Sequence, residues 1–300
     1  MPIQAMMRLP AGFRPQDFLL FHGRDKQAVS ERVTPDSLQK AIMLKDHLAL
    51  LSLKFEQDQV HYTLELDHDR ADVTLDEVNE LLRHILGLNQ AIEPFEQAYA
   101  DHPYIGALVS AQSGLRVPVS VDPYEAVTWA IIAQQISLSA ATSLRRRFIQ
   151  LADLRHSSGL FSYPSAEFVA GLTPERLREA GISQTKAQAL IQVSQRVACG
   201  DLPLSAWLQA EIPSQEIIQA LSGIRGIGPW TINYTLLRGY GWLDGSLHGD
   251  VVVRRAIRRL MTLDDLSEKE AAHWLQVYQP WRALLAAHFW AWQHHLSSQP

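Results

Sequence analysis

The 300-residue sequence predicts an α+β fold that is mostly α, with a small N-terminal antiparallel sheet-and-helix domain ahead of an all-α core. Three observations carry that expectation. Apolar and more polar residues alternate across residues 49–66, the period of a half-buried strand. From Thr74 almost to the end the apolar spacing turns helical. Between the two regimes, Gly114 to Asp122 holds Pro118 and is followed by Pro123, which reads as a loop and a seam between units.

Phe13, Phe18, Leu19, Leu20 and Phe21 form an apolar cluster that predicts a short helix. Ala49, Leu51, Leu53 and Phe55 alternate with polar residues; after Gln57-Asp58-Gln59, Val60, Tyr62, Leu64 and Leu66 alternate again, which predicts a hairpin. The preceding SLQKAIML is a candidate third strand. Thr74 with Glu77 makes a capping-box start for a helix to about Leu86, and Ala91 to Tyr99 predicts another. From Pro123 to Leu151, Trp129, Ile132, Ile136, Ala140, Leu144 and Phe148 lie on a helical stripe. Ser137 and Ser139 predict a break there, with a serine capping the second helix. The run Arg145-Arg146-Arg147 at its end reads as a solvated helix face, with phosphate contact as the less favoured alternative. Residues 165–198 predict two helices, Pro174 opening one and Gly181 suiting a left-handed C-cap. The last helices are expected over roughly 213–222, 229–239, 251–261, 267–276 and 280–296.

Composition is ordinary for a soluble protein, 47% hydrophobic and 20% charged. No apolar run approaches the roughly 18 residues of a membrane span, and the opening MPIQAMMRLPAGFRPQ has no leader pattern. A cytoplasmic protein without a membrane partner is expected. The single Cys199 excludes an internal disulfide, a cysteine zinc site and a four-cysteine iron–sulfur cluster. The net charge of −5 argues mildly against a nucleic-acid partner, yet six arginines fall between Leu221 and Leu260 against Asp244 and Asp250 alone.

That stretch is where chemistry is expected. Gly223, Gly226 and Gly228 crowd a turn that enters a helix at Pro229, with Ile224 and Ile227 turned inward. Free N–H groups at such a helix start can face an anion, although the turn could equally just join two helices. Trp230 and Tyr234, four residues apart, share a face that is either core or a stacking surface. Asp250 is placed to cap the helix after it. A carboxylate held there can also stabilise an oxocarbenium-like transition state. Arg254, Arg255, Arg258 and Arg259 follow on one side of that helix.

The run LSGIRGIGPWTINYTLLRGYG with HGDVVVRRAI, supported by GLRVP, AIIAQQIS and QPWRALLAAHFW, resembles the helix-hairpin-helix DNA glycosylase superfamily. Its nearest likeness is to the bacterial DNA-3-methyladenine glycosylase II type. The resemblance covers roughly Gly114 to Trp292, and the hairpin of residues 49–66 fits that family's N-terminal domain. It implies an N-terminal domain over 1–90 and a helix-hairpin-helix domain over 114–242. A second helical subdomain would comprise 91–113 and 243–300, with the active site in the cleft.

By the same resemblance Asp250 is the catalytic aspartate, and Trp230, Tyr234, Trp290 and Phe21 wall the base pocket. Gly226 and Gly228 correspond to the phosphate-binding hairpin, and Gln135, after Gln134, stands where relatives wedge into the duplex. Ile227, Arg225 and Arg254 are further candidate DNA contacts, although the arginines of the helix after Asp250 could equally only solvate the surface. The carbonyls of Ser222, Ile224 and Ile227 correspond to a structural sodium or potassium site, and no other cofactor is implied. Gln135 replaces a leucine and Val251 a tyrosine of a well-known relative, which leaves pocket shape and substrate range open. Trp230 stands where bifunctional members carry a lysine, so no Schiff base is expected. The implied activity is monofunctional removal of alkylated purines from duplex DNA by a monomer. The alternatives are a DNA-binding protein that cuts nothing, or a glycosylase for another damaged or mismatched base.

Overall fold

The computed structural model describes residues 2–67, 73–208 and 211–297. Strands β1 (Ile3–Arg8), β2 (Glu31–Val33), β3 (Ser37–Leu44), β4 (His47–Glu56) and β5 (Gln59–Leu66) form one antiparallel sheet in the order β1-β5-β4-β3-β2. The β4–β5 hairpin pairs Ala49 with Leu66 and Phe55 with Val60, so both alternating apolar sets fall on the same face. That face packs on helices α1 (Pro15–His22) and α2 (Leu75–Ile85), burying Leu51, Leu53, Phe18 and Leu82. The Thr74–Glu77 capping box forms as expected. Two edge strands, β1 and β2, escape the sequence reading: IQAMMR buries Met7 alone, and β2 has only three residues.

The helical part follows with α3 (Glu93–Tyr99), the unanticipated short α4 (Gly106–Ala111), α5 (Pro123–Ala133) and α6 (Leu138–Gln150). Ser137 caps α6 through the Ala140 N–H, which is the break its sequence suggested. Residues 165–198 give three helices rather than two: α7 (Ala166–Ala170), α8 (Pro174–Glu179) and α9 (Gln184–Ala198). Then come α10 (Ser214–Ser222), α11 (Pro229–Tyr240), α12 (Val251–Met261), α13 (Glu268–Leu275) and α14 (Arg282–Ser297).

Two helical cores share α11. Its Ile232 and Leu236 pack with Val127, Phe148 and Leu190, while Tyr234 and Leu237 pack with Phe95, Ile257 and Phe289. The segment expected as a loop at 114–122 is irregular but buried. Val119 donates its N–H to Ile85 O and Ser120 to Arg238 O, so the segment laces α2 to α11. Gly114, at φ +81°, lies against Gly12, where a Cβ would sit 1.9 Å from the carbonyl oxygen; only glycine fits.

The arginine run on α6 corrects its sequence reading. Arg145 is neither solvated nor free for phosphate: it meets Glu31 at 2.9 Å and Glu125 at 2.7 Å, and Lys40 meets the same two carboxylates at 2.9 Å each. Arg146 pairs with Asp25 at 2.7 Å. Burial alone would raise the Glu31 carboxyl, but Arg145 and Lys40 outweigh it and hold Glu31 well below the usual carboxylate range. The sheet domain is thus bolted to α5 and α6 by a closed ionic cluster. Among the described residues no helix is long and apolar enough to cross a membrane.

Candidate active site at the start of α12

Asp250 is placed by the loop between α11 and α12. Asn233 on α11 donates to Ser246 O, Arg282 at the start of α14 pairs with Asp244, and Ala283 donates its N–H to Leu243 O. These ties fix the loop against both helices. Asp250 then caps α12, its Oδ1 accepting from the N–H groups of Val252 (2.8 Å) and Val253 (3.1 Å). Two indoles complete its shell: Trp290 donates Nε1–H to Oδ1 at 3.3 Å, and Trp230 donates to Oδ2 at 3.1 Å. The carboxylate therefore rests on four N–H dipoles, and no cation pairs with it among the described residues.

The predicted aromatic residues lie beside it. The Trp230 and Tyr234 rings are 5.2 Å apart at 32°, and Tyr234 and Trp290 are 6.0 Å apart at 48°. Trp129, which sequence reasoning placed only on a helical stripe, donates its indole N–H to the Tyr234 hydroxyl at 2.7 Å. Phe21 on α1 reaches the same neighbourhood, lining a cavity with Trp129, Tyr234 and Arg238. Its ring carries the guanidinium of Arg238 at 4.4 Å and that of Arg24 at 4.5 Å.

Arg238, one of the six arginines between Leu221 and Leu260, is buried, 5% exposed, and donates to Pro118 O at 2.9 Å. Its sequence signal was available: a cation in a helix whose Leu236, Leu237 and Tyr240 are also buried. Arg254 is half-buried with one guanidinium nitrogen 3.8 Å from Glu268, whereas Arg255, Arg258 and Arg259 are exposed.

The turn before α11 runs from Gly223 to Gly228. Ile224 and Ile227 are buried and pin it, Gly226 takes φ +90°, and Arg225 is exposed. Gln134, after α5, donates to Gly226 O at 2.9 Å and to Thr231 Oγ1 at 2.8 Å. Lys186 on α9 holds the other side of that loop through the carbonyls of Ile132 and Gln134. Gln135, next along, is exposed with φ +55°, a left-handed backbone uncommon for a side-chain-bearing residue. Val251, beside Asp250, is 59% exposed. The described residues hold no group of three His, Cys, Asp or Glu able to take a metal ion.

This arrangement is that of a known class. Residues 128–280 match the HhH-GPD superfamily of base excision DNA repair proteins, and residues 9–122 match the AlkA N-terminal domain. The chain belongs to the HhH-GPD superfamily.

A putative DNA-3-methyladenine glycosylase of Bacillus subtilis is 31% identical over 193 residues, 63% of this chain and 64% of that protein. DNA-3-methyladenine glycosylase 2 of Escherichia coli strain K12 is 28% identical over 196 residues, 63% of this chain and 65% of its own. The match thus spans just under two thirds of either relative. The fold is shared with a 3-methyladenine DNA-glycosylase from Archaeoglobus fulgidus, at a TM-score of 0.82 and 20% identity, covering 97% of this chain and 98% of that one.

Proposed function

We propose that the chain is a monofunctional DNA glycosylase that hydrolyses the N-glycosidic bond of alkylated purines flipped out of duplex DNA. The observation that carries this reading is the Asp250 carboxylate, fixed by N–H dipoles and without a counter-cation among the described residues. As the C1′–N bond stretches, the base departs with the electron pair and positive charge builds on the sugar. A preorganised anion stabilises that charge without reorganising. Oδ1 accepts three of the four bonds and Oδ2 one, so Oδ2 keeps lone-pair capacity for the sugar or for the attacking water. Water adds to C1′ and loses a proton, leaving an abasic site and a free base.

Trp230, Tyr234 and Trp290 supply faces for the extruded base, whose flipping costs a few kcal/mol and least when the base is damaged. Exposed Gln135, on a loop tied to the hairpin through Gln134, would fill the gap in the duplex. The backbone N–H groups of Gly226 and Gly228 and the exposed Arg225 would meet phosphate, with salt-dependent affinity. Arg254 would add charge beside its Glu268 partner. The carbonyls of Ser222, Ile224 and Ile227 are all-oxygen donors without a carboxylate, a set suited to sodium or potassium; Ile224 O already accepts from the Ile227 N–H. Bound there, the ion would stiffen the turn. With Trp230 at the position of the family's amine nucleophile, no β-elimination is expected. Both curated relatives described above carry glycosylase names, which supports the reading. We take the chain to act alone, with the helix-hairpin-helix unit over 114–242 and the flanking helices of 91–113 and 243–300 forming the two walls of the cleft.

Incubation with dimethyl-sulfate-treated duplex DNA is expected to release alkylated purines, with strand breaks appearing only after alkali or heat. Absence of released base would overturn the proposal. Breaks without alkali would overturn its monofunctional part.

A further inference from the structure

We infer that Arg238 is a specificity-determining residue of the base pocket, a buried cation that favours neutral flipped bases over formally cationic ones. The inference rests on the glycosylase reading and concerns which bases that site prefers.

Arg238 lies one turn beyond Tyr234 on α11, with its guanidinium carbon 4.4 Å from the Phe21 ring centroid and 5.3 Å from that of Trp290. It is 5% exposed, has one hydrogen bond to Pro118 O, and its Nε is buried without a partner. No carboxylate pairs with it among the described residues, unlike Arg145 with its two glutamates. Burial lowers its pKa to about 10, which still leaves it protonated at neutral pH. The cation is therefore held by two ring faces, one carbonyl and Tyr234, against the like charge of Arg24.

Two consequences follow for an incoming base. Aromatic faces attract cations through their quadrupoles, and here the rings of Phe21 and Trp290 already face one. A base with a formal positive charge also meets the like charge of Arg238, beside a cavity whose lining further holds Arg24, Arg145, Asp25, Glu31 and Glu125, charges common to every Arg238 variant. A neutral base escapes that repulsion and can offer a carbonyl acceptor to a guanidinium with unused donor capacity. The attraction of Asp250 for a cationic base is common to all Arg238 variants, so it cancels in their comparison.

The test compares single-turnover release of cationic 7-methylguanine and neutral hypoxanthine from matched duplexes. Both bases carry a 6-carbonyl; 7-methylguanine also carries a 2-amino and a 7-methyl group, so charge is read from the change in ratio between variants that keep and variants that lose the cation. Arg238→Gln retains a donor for Pro118 O and removes the charge; Arg238→Met removes both, and Arg238→Lys keeps the charge. The 7-methylguanine to hypoxanthine ratio is expected to rise about tenfold in the Gln and Met variants, the scale of a unit-charge repulsion over roughly 12 Å at an effective dielectric of about 20. Arg238→Lys is expected to stay within about twofold of the unaltered protein, since it preserves that charge. Thermal melts establish that each variant is folded. An unchanged ratio in the Gln or Met variant, an equal shift in the Lys variant, or parallel loss of both releases would overturn the inference. Failure of the unaltered protein to release either base would instead count against the glycosylase reading itself.

Discussion

Two clusters of buried or half-buried charge are satisfied in opposite ways. Where α1 and β2 meet α5 and α6, Lys40 and Arg145 close on Glu31 and Glu125, each cation touching both carboxylates. At the start of α12, the partners of Asp250 among the described residues are N–H dipoles, and those of nearby Arg238 are ring faces, Tyr234 and one carbonyl. A charge neutralised by opposite charge has little left to offer a ligand. A charge held by dipoles is fixed in place yet keeps its long-range field. The first cluster is accordingly a joint, and the second has the character the proposed reaction centre needs.

The joint should show the largest effect on stability. Lys40→Met leaves two buried carboxylates with Arg145 and, beside Glu31, His22 at 3.6 Å, and urea unfolding should show a loss of about 3–5 kcal/mol. Folded Lys40→Met should keep its excision rate; a slowed rate at full folding would blur the division between the two clusters.

Acid should loosen a third buried site. Burial lowers His288 to about 3, its Nδ1 lying 2.8 Å from the Gln112 amide. The unfolded imidazole binds its proton near pH 6.5 and folded His288 only near 3, so between those values the unfolded chain holds more protons. Stability from this group is complete above pH 6.5, falls as pH drops, and is lower by about 2 kcal/mol at pH 5. His288→Gln should flatten that part of the pH–stability curve. The Glu31 cluster works at lower pH: its depressed pKa contributes stability above the ordinary carboxylate range and loses it on further acidification.

At the reaction centre, Trp230→Phe keeps a ring but removes the N–H to Oδ2. A hydrogen bond to a charged group is worth about 1.5–3 kcal/mol, so excision should slow roughly tenfold or more while abasic-duplex affinity changes little. Equal loss of binding and rate would make Trp230 a stacking wall only.

Much of this arrangement was legible in the sequence, and the rest was hidden for physical reasons. Alternation in β4 and β5 is strong because one face is fully buried; β1 escapes because an edge strand that buries only Met7 has no pattern to show. Thr74, Ser137 and Asp250 announce their helices because capping is local chemistry. Arg145 misled because its Glu31 partner lies 114 residues away, and no local pattern encodes that pairing. The aromatic residues near Asp250 were foreseen as walls. That two of them also donate to its carboxylate depends on α11, α12 and α14 meeting at one point.

The central claim is that the dipole-held carboxylate of Asp250 drives bond cleavage. Asp250→Asn tests it most directly, because asparagine caps helices about as well as aspartate. Single-turnover release of 7-methylguanine should fall by about 100-fold or more, with the unfolding midpoint nearly unchanged. Release at an undiminished rate by the folded variant would contradict the account.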